Sequence, residues 1–157
     1  METAHDAGIK TNATMLYGHL ETPQDRENHL LLIRELQERT GGFIAFIPLA
    51  FQSTGTIFDS YKPATAVDDL YVIAAARIIL DNIPHIKAYW VTIGEKTAQV
   101  ALHFGADDLD GTIIQERIAY AAGAKSKRGM TEAELRHLII AAGFNPVERD
   151  SFYARVA

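Results

Sequence analysis

The sequence predicts an α/β fold with parallel strands, and three observations carry that prediction. Short apolar runs alternate four times with helix-spaced segments, and the connections between them have the lengths of strand–helix–strand units. The run FIAFIPLAF at 43–51 is apolar on both faces, as a strand of a parallel sheet must be. Composition agrees: 157 residues, 48% hydrophobic and 22% charged, describe one globular domain with a sizeable core.

Each element has its own local reason. Residues 2–8, ETAHDAG, read as the last turns of a helix closed by Gly8, and 9–16, IKTNATML, as the first strand. Thr22 followed by Pro23 opens a helix in which Leu30, Ile33, Leu36 and Gln37 recur at helical spacing until Gly41 and Gly42. The second strand, 43–51, carries Pro48 near its end, where the ladder can lose a donor. A long polar loop, QSTGTIFDSYKPA at 52–64, precedes a helix capped by Thr65 or Asp68 and carried by Val67, Leu70, Ile73, Ala74, Arg77 and Ile78 to the break at Asn82-Ile83-Pro84. HIKAYWVTI at 85–93 reads as the third strand and Gly94 to Phe104 as a helix closed by Gly105. ADDLDGTII at 106–114 is a fourth strand or strand-like turn, followed by a helix from Gln115 to Ala122. A basic loop, GAKSKRG at 123–129, leads to the capping box Thr131–Glu134 and a last helix that runs to Gly143. NPVERDSFYARVA then ends the chain as a short strand or extended arm.

Charge and residue usage exclude several classes. A net charge of −5 with six scattered histidines gives no footprint for nucleic acid or an anionic membrane, so neither is an expected partner. No apolar run approaches the roughly 20 residues of a membrane helix, and METAHDAGIK lacks the regions of a signal peptide, so a cytoplasmic location is expected. The absence of cysteine excludes disulfides, thiolate nucleophiles and Cys-ligated metal within this chain. There is no G-x-S-x-G, Walker or G-x-G-x-x-G motif to support a serine hydrolase or a nucleotide dehydrogenase.

An α/β layer carries its chemistry at the C-terminal ends of its strands. Four clusters fall there: Tyr17, His19 and Glu21; Phe51, Gln52 and Ser53; Tyr89, Trp90 and Thr92; and Asp107, Asp108 and Asp110 in GADDLDG. Each has a plain structural alternative. Glu21 and Thr22 suit a helix cap, Gln52 and Ser53 ordinary loop polarity, the strand aromatics a core, and the aspartates a solvated turn. The acidic loop lacks the spacing of an EF-hand, so no metal site is expected. His29, His103 and His137 fall in helices, which leaves His19 as the histidine at a strand end, with Glu21 placed to orient it or to bind hydroxyls.

TNATMLYGHLET, HLLLIRELQERTGGFIAFIPLAF, LDNIPHIKAYWVTIGEKTAQVALHFGADDLDGT and PVERDSFY together resemble the C-terminal half of the radical S-adenosylmethionine enzymes of the futalosine and deazaflavin group. That group comprises the aminodeoxyfutalosine synthase, dehypoxanthine futalosine cyclase and deazaflavin (FO) synthase families, and NATMLYGH and IPLAF favour the first. The resemblance covers nearly the whole chain. It implies half of a (β/α)8 TIM-type barrel, strands five to eight, over residues 1–112, with a helical C-terminal extension over 113–157; a complete barrel needs about 250 residues. It implies S-adenosyl-L-methionine as cofactor, and a 4Fe-4S cluster held by a CxxxCxxC loop in the N-terminal half of the parent enzyme, for which this chain has no ligands.

In such barrels the fifth strand commonly ends in G-x-I-x-G-x-x-E, and Thr14, Leu16, Gly18 and Glu21 occupy those places here, with the first glycine replaced. Ile47 and Pro48 would lie against the adenine, and Tyr17, His19, Gln52, Trp90, Asp107 and Asp108 fall on the substrate side. The implied reaction of the parent enzyme joins a 5′-deoxyadenosyl radical to 3-[(1-carboxyvinyl)oxy]benzoate in menaquinone biosynthesis. Alone, the chain is expected to be inactive, its partner being either the missing N-terminal half or a second copy in a homodimer. The alternative is a non-catalytic half-barrel that self-associates through its open strand edges.

Overall fold

The computed structural model describes residues 1–54, 57–113 and 116–156. The chain forms a mixed α/β layer around a parallel sheet of three strands in the order β1-β2-β3, with β1 at Thr11–Tyr17, β2 at Phe43–Ala50 and β3 at His85–Ile86. Strand order follows chain order because one helix returns the chain after each of the first two strands: α2, Pro23–Thr40, and α3, Ala66–Ile79, follow the short α1 at Glu2–Asp6.

Both long helices start as their sequences predict. Thr22 and Thr65 each accept a hydrogen bond from the N–H three residues on, and Asp25 and Asp68 reciprocate, two complete capping boxes. Gly41 ends α2 in the left-handed conformation. Gln37 sits in the apolar stripe of α2 because its amide stands in for a strand: it donates to the Phe43 carbonyl at 2.9 Å and accepts from the Phe43 N–H at 2.8 Å. The start of β2 is thereby hydrogen-bonded while buried.

β1 alternates exposed and buried residues. Ala13, Met15 and Tyr17 face the helices with Phe46, Pro48, Ala50 and Ile86, and this layer meets Ile73, Ala76, Leu80 and Trp90 in the core. Among the described residues, neither α2 nor α3 covers the other face. Register places Thr14 beside Ile47 and Leu16 beside Leu49 on it, and alternation from the Ile86–Phe46 pair adds Lys87 and Tyr89. β1 is also an edge strand, and His29 Nε2 lies 3.3 Å from its Thr14 carbonyl.

The third and fourth expected strands are much shorter than predicted. The run 85–93 pairs only at His85–Ile86, and from Trp90 to Ile93 it is helical (α4). Its apolar character serves burial on the helix side: Trp90 and Val91 are wholly inside. Residues 106–110 meet β3 through a single parallel bridge, Lys87 with Asp108, so this is the strand-like turn of the two options. The predicted helix 94–104 is α5, Glu95–Ala101, tightened to a 3-10 turn through Phe104. Of the segment expected to run from strand to helix, Ile114 and Gln115 lie outside the described residues; the helix itself, α6, is confined to Ile118–Ala121. α7, Glu132–Ala141, carries a third capping box at Thr131 and Glu134, and packs back through buried Met130 and Leu135. The tail is a tight hairpin in place of an extended arm, with Arg149 bridged antiparallel to Arg155.

Candidate functional site

At the C-terminal ends of the strands Ala50, Phe51 and Gln52, Tyr89 and Thr92, Asp110, Glu116, and Ile118, Ala119 and Ala122 surround a concavity of about 530 Å³, and the loop 18–22 follows β1 at the same end. Its floor is Leu16, Ile47 and Leu49 from the uncovered sheet face; Phe51, Ile118 and Ala119 wall it, and Gln52, Tyr89, Thr92, Asp110 and Glu116 bring polar groups. A mostly apolar hollow with a few placed polar groups at this end of a parallel sheet has the character of a small-molecule site.

The first loop is built by Glu21. Gly18 has φ +86, and its N–H donates to Glu21 Oε1 at 2.5 Å while the His19 N–H donates to Oε2 at 2.9 Å. Arg26 holds Oε1 from the other side, Nε and a terminal nitrogen each at 2.7 Å. Burial raises the Glu21 carboxyl, but these N–H donors and the Arg26 charge outweigh it and hold it below the usual carboxylate range. Glu21 therefore shapes the loop from inside it. A side chain at Gly18 would be strained by that φ and would bring its Cβ to 3.0 Å from the Ala64 Cβ. His19 Nδ1 accepts from the Leu20 N–H at 2.6 Å, which places the ring proton on Nε2, and its ring meets Phe51 edge-on at 5.6 Å.

Beneath this loop Tyr17 is fully buried and donates to Asp69 Oδ1 at 2.6 Å. Burial chiefly, with the charge of Asp68 adding and the Tyr17 hydrogen bond opposing, pushes the Asp69 carboxyl up to about 6 from 3.8. The folded chain thus binds this proton more tightly than the unfolded chain, and stability falls as pH rises between those values. Asp69→Asn keeps an acceptor for Tyr17 and removes the charge. Urea unfolding should show it about 1–2 kcal/mol more stable than the parent at pH 7.5, with the difference vanishing towards pH 3.5. A pH-independent difference would remove burial of the charge as its cause.

The expected site residues divide. Thr14, Leu16 and Ile47 lie on the open face with Gly18 at its rim, and Gln52 reaches the same hollow, its amide donating to the Ala50 and Thr92 carbonyls at 3.1 and 3.2 Å. Pro48 and Tyr17 point into the helix layer instead. Trp90 is fully buried, its indole N–H donating to the Gly111 carbonyl at 3.0 Å. Asp107 is at the other end of β3, bonded to His85 Nδ1 at 2.6 Å, Arg77 at 2.9 Å and the Ile86 N–H at 2.8 Å.

Asp108 faces the open side but is saturated, by Arg149 at 2.6 Å, the Tyr153 hydroxyl at 2.5 Å and the Asp110 N–H at 2.7 Å. Tyr89, a member of the third strand-end cluster, and Glu116, which the sequence reading did not single out, line the hollow as a pair: the phenol donates to Glu116 Oε2 at 3.1 Å, and Glu116 Oε1 caps α6 through the Ile118 and Ala119 N–H groups. Alternation along β3 is the signal that finds Tyr89, since Lys87 and Tyr89 share a face opposite to Ile86 and Ala88.

A parallel α/β layer with a hollow at its strand ends defines the class, and comparison with known proteins defines the branch. The chain belongs to the family described as the CofH/MqnC C-terminal region, which matches residues 40–156. It is 50% identical to aminodeoxyfutalosine synthase of Thermus thermophilus over 98% of this chain and 42% of that protein. It is 48% identical to the 5-amino-6-(D-ribitylamino)uracil–L-tyrosine 4-hydroxyphenyl transferase of Archaeoglobus fulgidus, over 98% of this chain and 45% of that protein. The aminodeoxyfutalosine synthase of Streptomyces coelicolor is 43% identical over 96% of this chain and 42% of its own length. The chain thus spans less than half the length of these relatives, and the resemblance drawn from TNATMLYGHLET and its companions is borne out.

Proposed function

We propose that this chain is the C-terminal part of an aminodeoxyfutalosine synthase acting as a radical S-adenosylmethionine enzyme of menaquinone biosynthesis, with residues 1–112 forming strands five to eight of the barrel and 113–157 the extension of the same domain. The observation that carries the reading is the open sheet face, with the pairs Thr14–Ile47 and Leu16–Leu49 on it and Leu16, Ile47 and Leu49 flooring the hollow at the strand ends. In a closed barrel that face becomes the interior. The 50% identity to the Thermus enzyme supports the particular reaction. Transfer of the tyrosine hydroxyphenyl group is the second reading, favoured by the nearly equal 48% identity to the Archaeoglobus protein.

The two implied cofactors fit differently. An iron–sulfur cluster has no ligand here: the sequence has no cysteine, and among the described residues no three His, Asp or Glu side chains gather as a metal site. Its ligands belong to the N-terminal half. For S-adenosylmethionine the left-handed Gly18, whose bare backbone stands at the rim, and Thr14, Leu16 and Ile47 on the open face offer a cradle, with Glu21 fixing the loop behind them. When bound, S-adenosylmethionine supplies the 5′-deoxyadenosyl group that is joined to the substrate. What this half contributes is position and exclusion of water, because an apolar floor and a fixed rim hold reactants at one distance.

The test is to mix the chain with a cysteine-bearing N-terminal half under anaerobic, reducing conditions and to measure 5′-deoxyadenosine and the adenosyl–benzoate adduct. Both should form only in the mixture. Gly18→Val should lower the yield by about 10²-fold through displacement of the rim, and Glu21→Ala should lower it through loss of the loop. Unchanged yields in both variants would overturn the placement of the cofactor.

A further inference from the structure

We propose that the C-terminal hairpin, 148–156, closes the open face at the strand starts, and that its Arg149 is a positioning residue that neutralises the wall of the hollow so that a carboxylate-bearing ring is admitted. This assignment rests on the proposed function in taking the open face as the chamber interior and an aromatic carboxylate as substrate. It goes further in giving the terminal motif PVERDSFY a role.

The turn of the hairpin is built to present one side chain. Asp150 Oδ1 accepts from the Phe152 and Ala154 N–H groups at 2.8 and 2.9 Å, and the Asp150 N–H donates to the Ala154 carbonyl at 2.9 Å. Tyr153 between them has φ +63, a conformation that favours glycine, so its ring is kept against a backbone cost. That ring lies flat on His85, centroids 3.7 Å apart and 5° from parallel, and the phenol donates to Asp108 Oδ2 at 2.5 Å. His85, Lys87 and Tyr89 alternate onto the open face, since Ile86 and Ala88 are fully buried on the other side. Tyr153 therefore covers the beginning of the row whose end, Tyr89, lines the hollow.

Arg149 adds the charge. Lys87 is paired with Asp110 and stands 3.9 Å from Asp108, while the Arg149 guanidinium is 2.6 Å from Asp108 and 3.6 Å from Asp110. Two anions meet two cations in this cluster, and one of the cations comes from the hairpin. Without Arg149, Lys87 balances one carboxylate and leaves the other uncompensated, on side chains only 9% and 19% exposed, where water screens it poorly. Asp110 belongs to the wall of the hollow and its N–H donates to Asp108 Oδ1 at 2.7 Å, so the excess negative charge would stand beside a bound ligand. Glu116, the other lining carboxylate, is engaged by the Tyr89 phenol and by the N–H groups of Ile118 and Ala119. With the hairpin seated, the cluster is neutral, and a ligand carboxylate meets no uncompensated anion on it.

The experiment titrates the isotopically labelled chain with benzoate and with anisole, an uncharged ring of similar size, and follows the Gly111 amide and the Trp90 indole N–H that donates to the Gly111 carbonyl. Both probes should bind the parent chain. Arg149→Gln, which keeps donors for Asp108 and loses the charge, should weaken benzoate about tenfold and leave anisole within about twofold, and Arg149→Lys should restore benzoate. Tyr153→Gly, which suits the positive φ, should let acetic anhydride modify Lys87 about tenfold faster than in the parent, where that side chain is 8% exposed. The proposal is overturned by a parent chain that binds no benzoate, by Arg149→Gln binding benzoate as the parent does or losing both probes equally, by a loss that Arg149→Lys does not reverse, or by Lys87 reacting no faster in Tyr153→Gly. Reconstitution with the N-terminal half does not enter these measurements, so adduct formation in the mixture and this titration can fail separately.

Discussion

Asp108→Ala should destabilise the folded chain by about 3–5 kcal/mol and release the C-terminal hairpin. The side chain is only 9% exposed and serves four partners: Arg149, the Tyr153 hydroxyl, the Asp110 N–H and, at 3.9 Å, Lys87. Removing it leaves Lys87, itself 8% exposed at the side chain, to balance against Asp110 alone, and leaves Arg149 3.6 Å from the same group. Burial raises the Asp108 carboxyl, yet the Tyr153 and Asp110 hydrogen bonds and the two cations outweigh it and the net shift is downward. Its contribution is therefore present above the ordinary value of 3.8 and lost as pH falls below it. Urea melts at pH 7 give the loss. Hydrogen exchange at the Ala154 and Val156 amides, which donate to Asp150 and to the Glu148 carbonyl, reports the hairpin. Asp107→Ala, more exposed, should cost about 1 kcal/mol or less. A comparable loss for both variants would mean that Asp108 is no special anchor.

Trp90→Ala should cost a further large amount, about 3–5 kcal/mol, by opening a cavity where the sheet meets α4 and α5. The residue is fully buried, and its indole N–H is bonded to the Gly111 carbonyl at 3.0 Å. It is also the one tryptophan of the sequence, so the intact chain offers a direct optical check. Its emission should be blue-shifted and resist quenching by iodide, and Trp90→Phe should lose less stability than Trp90→Ala. Ready quenching in the folded state would place the indole at the surface, as a ligand platform requires.

The parts of the structure that were legible in the sequence are those decided locally. Thr22, Thr65 and Thr131 declare their helices because a cap needs only its own next three residues, and FIAFIPLAF declares a buried strand. HIKAYWVTI forms a shorter strand than its sequence predicts because a short apolar run has the same composition whether it is a strand or a buried helical turn. Only the partner decides, and β2 pairs with it at two positions. Gln37 is legible as a member of the stripe but not as the bonding partner of Phe43, which depends on how α2 returns to the sheet.

The site shows the same division. Gly18 and Glu21 are close in sequence, so their turn follows from a short motif. The distinct fates of Asp107, Asp108 and Asp110 depend on His85, Arg149 and Lys87, which are 22, 41 and 23 residues away from them respectively. No local pattern contains that information.

The free edge of β1 imposes a rule of symmetry on whatever adds to the sheet. A second copy meeting that edge across a two-fold axis can only run antiparallel to it, giving the order 3-2-1-1′-2′-3′ with both hollows on an unclosed sheet. In the barrel proposed above, a strand from an N-terminal half would run parallel, continue the twist and let the sheet curl shut. Strand polarity at Thr14 therefore separates the two partners: self-pairing preserves an open sheet, and only a parallel neighbour can turn the uncovered face into an enclosed chamber.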